Sequence, residues 1–158
     1  MRAKRSADGD DEDWTAVTVE AAAVRLLARR EHSRAELERQ LAARGAPGEL
    51  VDEVLESLGA RRLQSDERYC EAFIASRVGR GQGPVRIRRE LAERGVAAGL
   101  IDAALAGVDA DWAQLARDTR QRRFGGEAPT EWNERVRQSR FLEYRGFTSE
   151  QIRFALEG

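Results

Sequence analysis

The residue types that do chemistry in most enzymes are scarce in this sequence of 158 residues. It contains one histidine, His32, and one cysteine, Cys70. A serine or cysteine nucleophile needs a base within reach, and a structural zinc ion needs about four cysteine or histidine ligands. The segment GRGQGP at residues 79–84 lacks the lysine and the serine or threonine of a phosphate-binding P-loop. The sequence therefore predicts no catalytic residue, no metal and no cofactor, and we expect a protein that is not an enzyme.

Arginine is the remaining residue type with a distinctive binding chemistry, because its planar fork pairs with carboxylates and phosphates. Of the 27 basic residues, only Lys4 is a lysine. Arg89 stands two positions before Leu91. Two positions correspond to about 200 degrees around a helix, so the two side chains point in nearly opposite directions. If Leu91 is buried, Arg89 is therefore expected to be exposed. A solvated face with scattered charge is the alternative. The predicted track for an acidic partner surface or for DNA phosphates consists of Arg77, Arg80, Arg86, Arg89, Arg120, Arg122, Arg123, Arg137 and Arg140.

An arginine–glycine pair recurs three times and marks the elements that carry these arginines. The glycines are Gly45, Gly95 and Gly146, spaced by 50 and 51 residues. A leucine stands four positions before each glycine, an aliphatic residue stands six positions after it, and another leucine stands ten positions after it. Glycine adopts the left-handed conformation that ends a helix at low cost. Each copy therefore predicts a helix, a tight turn and a second helix.

A further helix is predicted before each pair. Its apolar residues share the spacing of one helix face, and they are Ala23, Leu26 and Leu27, then Cys70, Phe73 and Ile74, and more weakly Trp112, Leu115 and Ala116. We also expect Trp112 and Trp132 to pack against apolar neighbours. Serine or threonine followed by glutamate or glutamine three residues later predicts capping boxes at Ser33 and Thr148.

These patterns predict an all-α fold, an elongated array of three tandem three-helix repeats with about nine helices. A unit of about fifty residues with few large apolar side chains cannot bury a deep core alone, and stacked neighbours solve this problem. The predicted repeats span residues 18–64, 65–108 and 109–158. The predicted helices span 18–31, 33–44, 47–58, 66–79, 84–94, 97–107, 110–124, 131–145 and 148–157.

The N-terminal residues 1–17 are expected to form a flexible charged arm, basic at first and then acidic. No apolar run approaches the roughly 18 residues that a membrane span needs, and the N-terminus lacks the apolar core of a secretory signal. We expect a cytoplasmic protein that makes no membrane contact. A monomer is the expected state.

The central part of the sequence resembles the RecX regulatory proteins of bacteria. The central motif is carried by Asp66, Tyr69, Phe73, Ile74, Arg77, Gly83, Pro84, Ile87, Arg88, Glu90, Leu91, Arg94, Gly95 and Val96. The C-terminal signature is carried by Leu142, Arg145, Gly146, Phe147 and Ile152. The resemblance runs from about residue 20 to the end of the chain. Two features depart from it: Gln138 stands where the other copies have an aliphatic residue, and the acidic residues 8–13 have no family role.

The resemblance implies a regulator that acts in DNA repair, the SOS response and homologous recombination. Such a protein binds the RecA recombinase and RecA filaments on DNA, and it inhibits recombinase, ATPase and co-protease activities without a cofactor. A helical module that contacts DNA phosphates directly is the alternative, and a helical scaffold with an unrelated partner is a third reading. Glutamates interleaved among the arginines favour the protein partner over bare DNA.

Overall fold

The computed structural model describes residues 13–158, and within them the chain forms nine α-helices and no strand. The helices are α1 (Ala16–Arg29), α2 (Arg34–Ala43), α3 (Gly48–Ala60), α4 (Asp66–Gly79), α5 (Pro84–Glu93), α6 (Ala98–Gly107), α7 (Trp112–Phe124), α8 (Trp132–Tyr144) and α9 (Ser149–Leu156). Each boundary lies within two residues of its prediction, which confirms the all-α fold. Helix α1 begins inside the predicted arm 1–17, whose residues 1–12 lie outside the described part of the chain. No helix of residues 13–158 is both long and apolar enough to cross a membrane.

Side-chain caps begin the helices where the sequence predicts them. The Ser33 hydroxyl accepts a hydrogen bond from the Glu36 backbone N–H at 3.1 Å, and the Glu36 carboxylate accepts one from the Ser33 N–H at 3.3 Å. Thr148 and Gln151 form the same reciprocal box at α9. Pro84 occupies the first turn of α5, where its missing N–H costs nothing. Caps of this kind contribute about 1 kcal/mol each.

The three arginine–glycine turns share one conformation. Gly45, Gly95 and Gly146 have φ angles of +91°, +80° and +95°, in the left-handed region. The residue after each glycine donates its N–H to the carbonyl of the leucine that lies four positions before the glycine. The N–O distances are 3.1, 3.2 and 3.2 Å. This six-to-one bond satisfies a carbonyl that the helix end would otherwise leave unpaired. The predicted helix, turn and helix of each copy are confirmed.

Each repeat buries an apolar cluster of its own. Leu41, Leu91 and Leu142 are fully buried at equivalent positions in the three repeats. In residues 13–158 the broad helix-to-helix packing joins α1 with α2 and α3, α4 with α5 and α6, and α7 with α8 and α9. These three groups are called repeats 1, 2 and 3 below. Neighbouring repeats contact each other over smaller local areas, as in an elongated array.

The third repeat packs differently from the first two. Trp112 lies against the apolar cluster of repeat 2, and Ala116 is the fully buried apolar residue of α7. Trp132 is 76% exposed, so the expectation that it packs is wrong. Gln138 stands at a position that is aliphatic in repeats 1 and 2, yet it is buried at 4% exposure. Repeat 3 therefore places polar groups where the other repeats place a leucine or an isoleucine.

Candidate partner-binding surface

Repeats 1 and 2 meet where the N-terminus of α2 lies against the turn that ends α5. The Ser33 hydroxyl donates a hydrogen bond to the Arg94 carbonyl at 2.9 Å. Ala35 occupies the space beside Gly95 into which any side chain at that position would project. We call this contact joint 1. The two repeats can approach closely here because Gly95 has no side chain, and the same residue supplies the positive φ angle of the turn.

Repeats 2 and 3 meet in the same way, at joint 2. The Gly83 N–H donates to the Arg145 carbonyl at 2.8 Å, and the Val85 N–H donates to the Gly146 carbonyl at 2.9 Å. The Arg145 side chain donates in turn to the Arg80 carbonyl at 3.0 Å. The N-terminus of α5 thus pairs with free carbonyls at the end of α8, so that dipole ends of opposite sign meet.

Glu36 is the acidic centre of joint 1. Its carboxylate accepts hydrogen bonds from Arg30 at 3.0 Å, from Arg94 at 3.0 Å and from the Tyr69 hydroxyl at 2.9 Å. Burial alone would raise the pKa of Glu36, but these three donors outweigh it and hold the pKa below its ordinary value. Burial, together with the Glu36 carboxylate, raises the pKa of Tyr69 to about 12. One ionised carboxylate therefore ties repeat 1 to helices α4 and α5 of repeat 2.

Two arginines flank one aromatic ring in repeat 2. The guanidinium carbons of Arg77 and Arg94 lie 4.4 and 5.3 Å from the centroid of the Phe73 ring. The Nε of Arg77 also donates to the Glu90 carboxylate at 3.1 Å. A cation–π contact and an ion pair together hold the Arg77 fork in one orientation. We call Arg77, Phe73 and Arg94 the repeat 2 stack.

Repeat 3 contains a similar arrangement around a phenylalanine of its second helix, and we call it the repeat 3 stack. The guanidinium carbons of Arg145 and Arg123 lie 5.2 and 5.9 Å from the centroid of the Phe141 ring. Phe124 meets Phe141 edge to face with ring centroids 5.3 Å apart, and Arg137 lies 5.3 Å from the Phe124 centroid. Since Arg145 also takes part in joint 2, the repeat 3 stack lies directly beside the contact between repeats 2 and 3.

A groove of about 420 Å³ opens beside joint 1, between repeats 1 and 2. It is lined by four arginines, Arg30, Arg77, Arg80 and Arg94. Its remaining lining residues are Glu31, Tyr69, Ala72, Phe73 and Ser76. The groove is therefore rich in guanidinium donors, and most of its other lining residues are small or aromatic.

The nine arginines predicted from the sequence differ in their surroundings. The exposed ones are Arg80, Arg89, Arg122, Arg123, Arg137 and Arg140. Arg77 and Arg86 are half-buried and share the carboxylate of Glu90, at 3.1 and 2.9 Å. The expectation of a freely exposed Arg86 is wrong, because its backbone and Cβ pack against Gly146 at joint 2. Arg77 and Arg80 meet in the groove, whereas Arg123 and Arg137 meet beside Phe124.

Arg120 lies in the interior of repeat 3 at 0% exposure, so its predicted place on the exposed track is wrong. Its guanidinium donates to the carbonyls of Ala155 at 2.7 Å and Glu127 at 3.1 Å, and to the Gln138 side chain at 3.4 Å. Burial first, and the nearby charge of Arg117 second, lower the pKa of Arg120 from its ordinary value. Arg120 and Gln138 form a buried polar pair, which explains why repeat 3 tolerates a glutamine at an otherwise aliphatic position.

The histidine and the cysteine are both buried. His32 is 3% exposed, and its Nδ1 lies 2.9 Å from the Arg30 carbonyl. Burial, and to a smaller extent the nearby carboxylates of Asp66 and Glu71, raises the pKa of the Cys70 thiol to about 11. Within residues 13–158, no three histidine, cysteine or carboxylate side chains come together as metal ligands. Both side chains belong to the packing of their repeats.

Three arginines of this surface were not predicted to belong to it. Arg30 and Arg94 line the groove, and Arg145 belongs to the repeat 3 stack. The helix dipole alone explains an arginine before the glycine, so there was no reason in the sequence to expect that this arginine also contacts another repeat. The signal that could have found them is their recurrence, since Arg30 corresponds to Arg77 and Arg94 to Arg145 in the repeat register.

Comparison with known proteins places this geometry in a family. Family models for the first, second and third three-helix domains of RecX match residues 21–58, 65–105 and 109–156. The chain belongs to the RecX family. The regulatory protein RecX of Halorhodospira halophila is 51% identical over 137 residues, which cover 87% of this chain and 85% of the relative. The regulatory protein RecX of Ectopseudomonas mendocina is 48% identical over 142 residues, which cover 90% and 95%.

Solved RecX structures share the fold of this RecX family member. The crystal structure of RecX from Lactobacillus salivarius superposes with a TM-score of 0.77 at 18% identity, covering 90% of this chain and 94% of that one. A second crystal structure of a RecX regulatory protein gives a TM-score of 0.77 at 20% identity, covering 90% and 72%. At these identities the likeness concerns the fold, so RecX proteins keep the three-helix array while most residues differ.

Proposed function

We propose that this RecX family member regulates the RecA recombinase without chemistry of its own. It binds RecA and RecA filaments on DNA, and it inhibits their recombinase, ATPase and co-protease activities. It acts in the cytoplasm as a monomer. Family membership supports the proposal, and its relatives are named regulatory proteins. The structural observation that carries it is the presence of two arginine–aromatic stacks, one in repeat 2 and one beside joint 2 in repeat 3.

The repeat architecture explains how such a chain can restrain a filament. A helical filament presents the same surface at regular intervals, and an array of similar repeats can contact neighbouring protomers at once. Each contact can be weak, because the first one raises the effective concentration for the next. The joints set the spacing between repeats through hydrogen bonds to main-chain carbonyls, donated by the Ser33 hydroxyl at joint 1 and by backbone N–H groups at joint 2. A bound array then holds protomers that must move for ATP hydrolysis and strand exchange.

Arg89 and Arg140 are the side chains best suited to test this binding. They occupy the same position on α5 and α8, two residues before a buried leucine. Both are exposed, and neither makes an ion pair within residues 13–158. Their forks are therefore available to acidic groups of a partner, and their replacement leaves the interior unchanged.

The experiment is co-sedimentation with RecA filaments on single-stranded DNA, together with RecA ATPase measurements. The chain should sediment with filaments and inhibit ATP hydrolysis, and DNA without RecA is the control. Arg89→Glu with Arg140→Glu should preserve helicity and Tm but raise the inhibitory concentration at least tenfold. Arg25→Glu with Arg153→Glu, two exposed charge reversals on α1 and α9, is the matched control and should inhibit like the wild type.

Failure to sediment with RecA filaments would overturn the proposal. Full inhibition by the double variant would instead assign Arg89 and Arg140 to a solvated face. Arg86 is unsuitable for charge reversal, because a glutamate there would face Glu90 and disturb joint 2. A loss of inhibition by Arg86→Glu would not distinguish a binding defect from a folding defect.

Direct binding to DNA is the second candidate function. The observation that favours it is that Arg80, Arg89, Arg122 and Arg140 make no ion pair within residues 13–158, which leaves their forks free for phosphates. This function predicts tight binding to bare single-stranded DNA, with a logarithmic salt slope of about −0.7 per phosphate contacted. Sedimentation with DNA alone, lost steeply as salt rises, would establish it. Sedimentation that depends on RecA would reject it.

A further inference from the structure

The groove beside joint 1 presents guanidinium donors that the fold does not use. Arg77 is held through its Nε, and within residues 13–158 nothing accepts a hydrogen bond from its two Nη atoms. Arg30 and Arg94 each engage Glu36 through Nη1 alone. The Arg80 guanidinium makes no hydrogen bond in the same part of the chain. Four guanidinium groups therefore line one groove, and each has N–H groups that no acceptor in residues 13–158 uses.

The small residues that line the groove leave room for a short side chain that ends in a charge. Ala72 and Ser76 are small and lie one turn apart on α4, so a ligand can approach the helix closely. Phe73 is 8% exposed and has two guanidinium groups within 5.3 Å of its ring centroid, so little of its ring is accessible for a nucleobase to stack on. Recognition in this groove must therefore depend on anionic groups.

The charge around the groove is positive but interrupted. Glu36 and Glu90 form ion pairs with Arg30 and Arg77 and so neutralise part of the positive charge. Glu31, which also lines the groove, is paired with Arg68 at 3.0 Å. A phosphodiester strand gains most from a continuous row of uncompensated cations. Separate carboxylates need only one fork each, and a fork matches a carboxylate through two parallel hydrogen bonds. The arrangement favours discrete carboxylates.

We propose that this groove binds an acidic polypeptide segment of a protein partner, with its carboxylates paired to Arg30, Arg77, Arg80 and Arg94. The inference rests on the proposed function only in that the partner is a protein. Arg30 is the residue that ends helix α1 of repeat 1, whereas the other three arginines belong to repeat 2. An occupant therefore contacts both repeats and stabilises joint 1.

The test is a titration of the full-length ¹⁵N-labelled chain followed by NMR, with a hexaglutamate peptide as the probe. The expected result is a saturable shift of the backbone amide signals of Ala72, Ser76 and Arg80. A hexathymidylate oligonucleotide is titrated in parallel and should shift these signals more weakly. Saturable shifts confined to other parts of the chain, no shifts, or tighter binding of the oligonucleotide in the groove would each overturn the inference.

Two matched variants separate a site from general charge attraction. Arg80→Gln removes one exposed fork that makes no ion pair within residues 13–158, and it should weaken peptide binding at least tenfold without changing the NMR spectrum elsewhere. Arg153→Gln removes the same charge from an exposed position on α9 and should stay within twofold of the wild type. Equal weakening by both variants would show diffuse attraction and would refute the site.

The inference and the proposed function can fail separately. The peptide titration contains no RecA, so its outcome is independent of filament binding. Co-sedimentation that persists without peptide binding would overturn the groove and leave the RecA proposal in place. Peptide binding without co-sedimentation would support the groove and reject RecA as the partner.

Discussion

The hydroxyl of Ser33 donates a hydrogen bond of 2.9 Å to the main-chain carbonyl of Arg94, which lies 61 residues later in the chain. The same hydroxyl caps the N-terminus of α2, while Arg94 is the C-cap of α5. One side chain therefore satisfies the opposite ends of two helices in different repeats. At joint 2 the backbone N–H of Gly83 takes the place of this hydroxyl. Because buried carbonyls must be paired, these bonds specify how neighbouring repeats are oriented.

Replacement of Gly95 by alanine should destabilise the protein more than replacement of Gly45. Both glycines have positive φ, so each change carries about 1–2 kcal/mol of conformational cost. At Gly45 the added Cβ meets only the Trp14 indole at 3.8 Å, an ordinary contact. At Gly95 it collides with Ala35, and overpacking adds about 1–3 kcal/mol. Urea denaturation of the two variants measures the difference.

A second change tests whether the collision is the cause. Ala35→Gly removes the methyl group that Gly95→Ala would strike, so the double variant should recover much of the difference between Gly95→Ala and Gly45→Ala. Additive losses in the double variant, or equal losses at the two glycines, would contradict the close contact at joint 1.

The ion pairs of Glu36 should make joint 1 sensitive to acid. The pKa of Glu36 in the folded state is below its ordinary value of 4.5. A carboxyl of this kind stabilises the fold above its unfolded pKa, and this stabilisation is lost as the pH falls through the folded pKa. Glu36→Gln should therefore cost roughly 3 kcal/mol at neutral pH, and wild type and variant should converge below pH 4.5. Urea denaturation across this pH range measures the convergence.

Glu38 provides the control for this prediction on the same helix. It pairs with Arg34 at 3.3 Å, but both side chains are more than a third exposed. Glu38→Gln should therefore cost less than about 1 kcal/mol, since exposed ion pairs contribute little. A stability gap between wild type and Glu36→Gln that stayed constant from pH 7 to pH 3 would show that joint 1 does not lower the pKa of Glu36.

Local patterns in the sequence were sufficient to predict the elements of this fold. The leucine and glycine of each turn lie within one helix and its cap, so their spacing alone determines that Leu41 and Leu91 are buried and that Gly95 is left-handed. The helix boundaries follow from the same local signals. The threefold recurrence of this turn predicts the three repeats, although each repeat buries an apolar cluster of its own instead of sharing one core with its neighbours.

The contacts between repeats could not be predicted in this way. The capping box at Ser33 is a local pattern, but the second bond of that hydroxyl goes to Arg94 in another repeat. Arg120 illustrates the opposite error, since an arginine in a polar run is exposed unless a distant residue pairs with it. Its partners, Gln138 and the carbonyl of Ala155, lie on two other helices. Long-range polar pairing of this kind has no periodicity in the sequence.

Arg120 and Gln138 should be energetically coupled in the core of repeat 3. Arg120→Leu leaves the Gln138 side chain and the Ala155 carbonyl without their donor, and each unsatisfied group costs about 1–3 kcal/mol. Adding Gln138→Leu removes one of these groups and restores an aliphatic residue. A double-mutant cycle in urea should therefore show a favourable coupling of about 0.5–3 kcal/mol. Strictly additive losses would contradict the pairing.

Trp14 should act as the N-terminal cap of the array, and Trp132 should not contribute to stability. In repeats 2 and 3 the preceding repeat covers the glycine turn, but repeat 1 has no predecessor within residues 13–158. Trp14 is half-buried there, with its indole beside Gly45, and packs on the repeat 1 cluster. Its removal exposes this end of the array, and terminal repeats depend on such caps.

Trp14→Ala should therefore cost about 2 kcal/mol, less than the 3–5 kcal/mol of a fully buried tryptophan. Hydrogen exchange should accelerate in α1, α2 and α3 and change little in α7, α8 and α9, because each repeat contacts only its neighbours. Trp132→Ala removes a ring that is 76% exposed and should change the free energy of unfolding by less than about 0.5 kcal/mol. Equal losses from the two tryptophans, or acceleration spread evenly over all repeats, would show that Trp14 does not cap repeat 1.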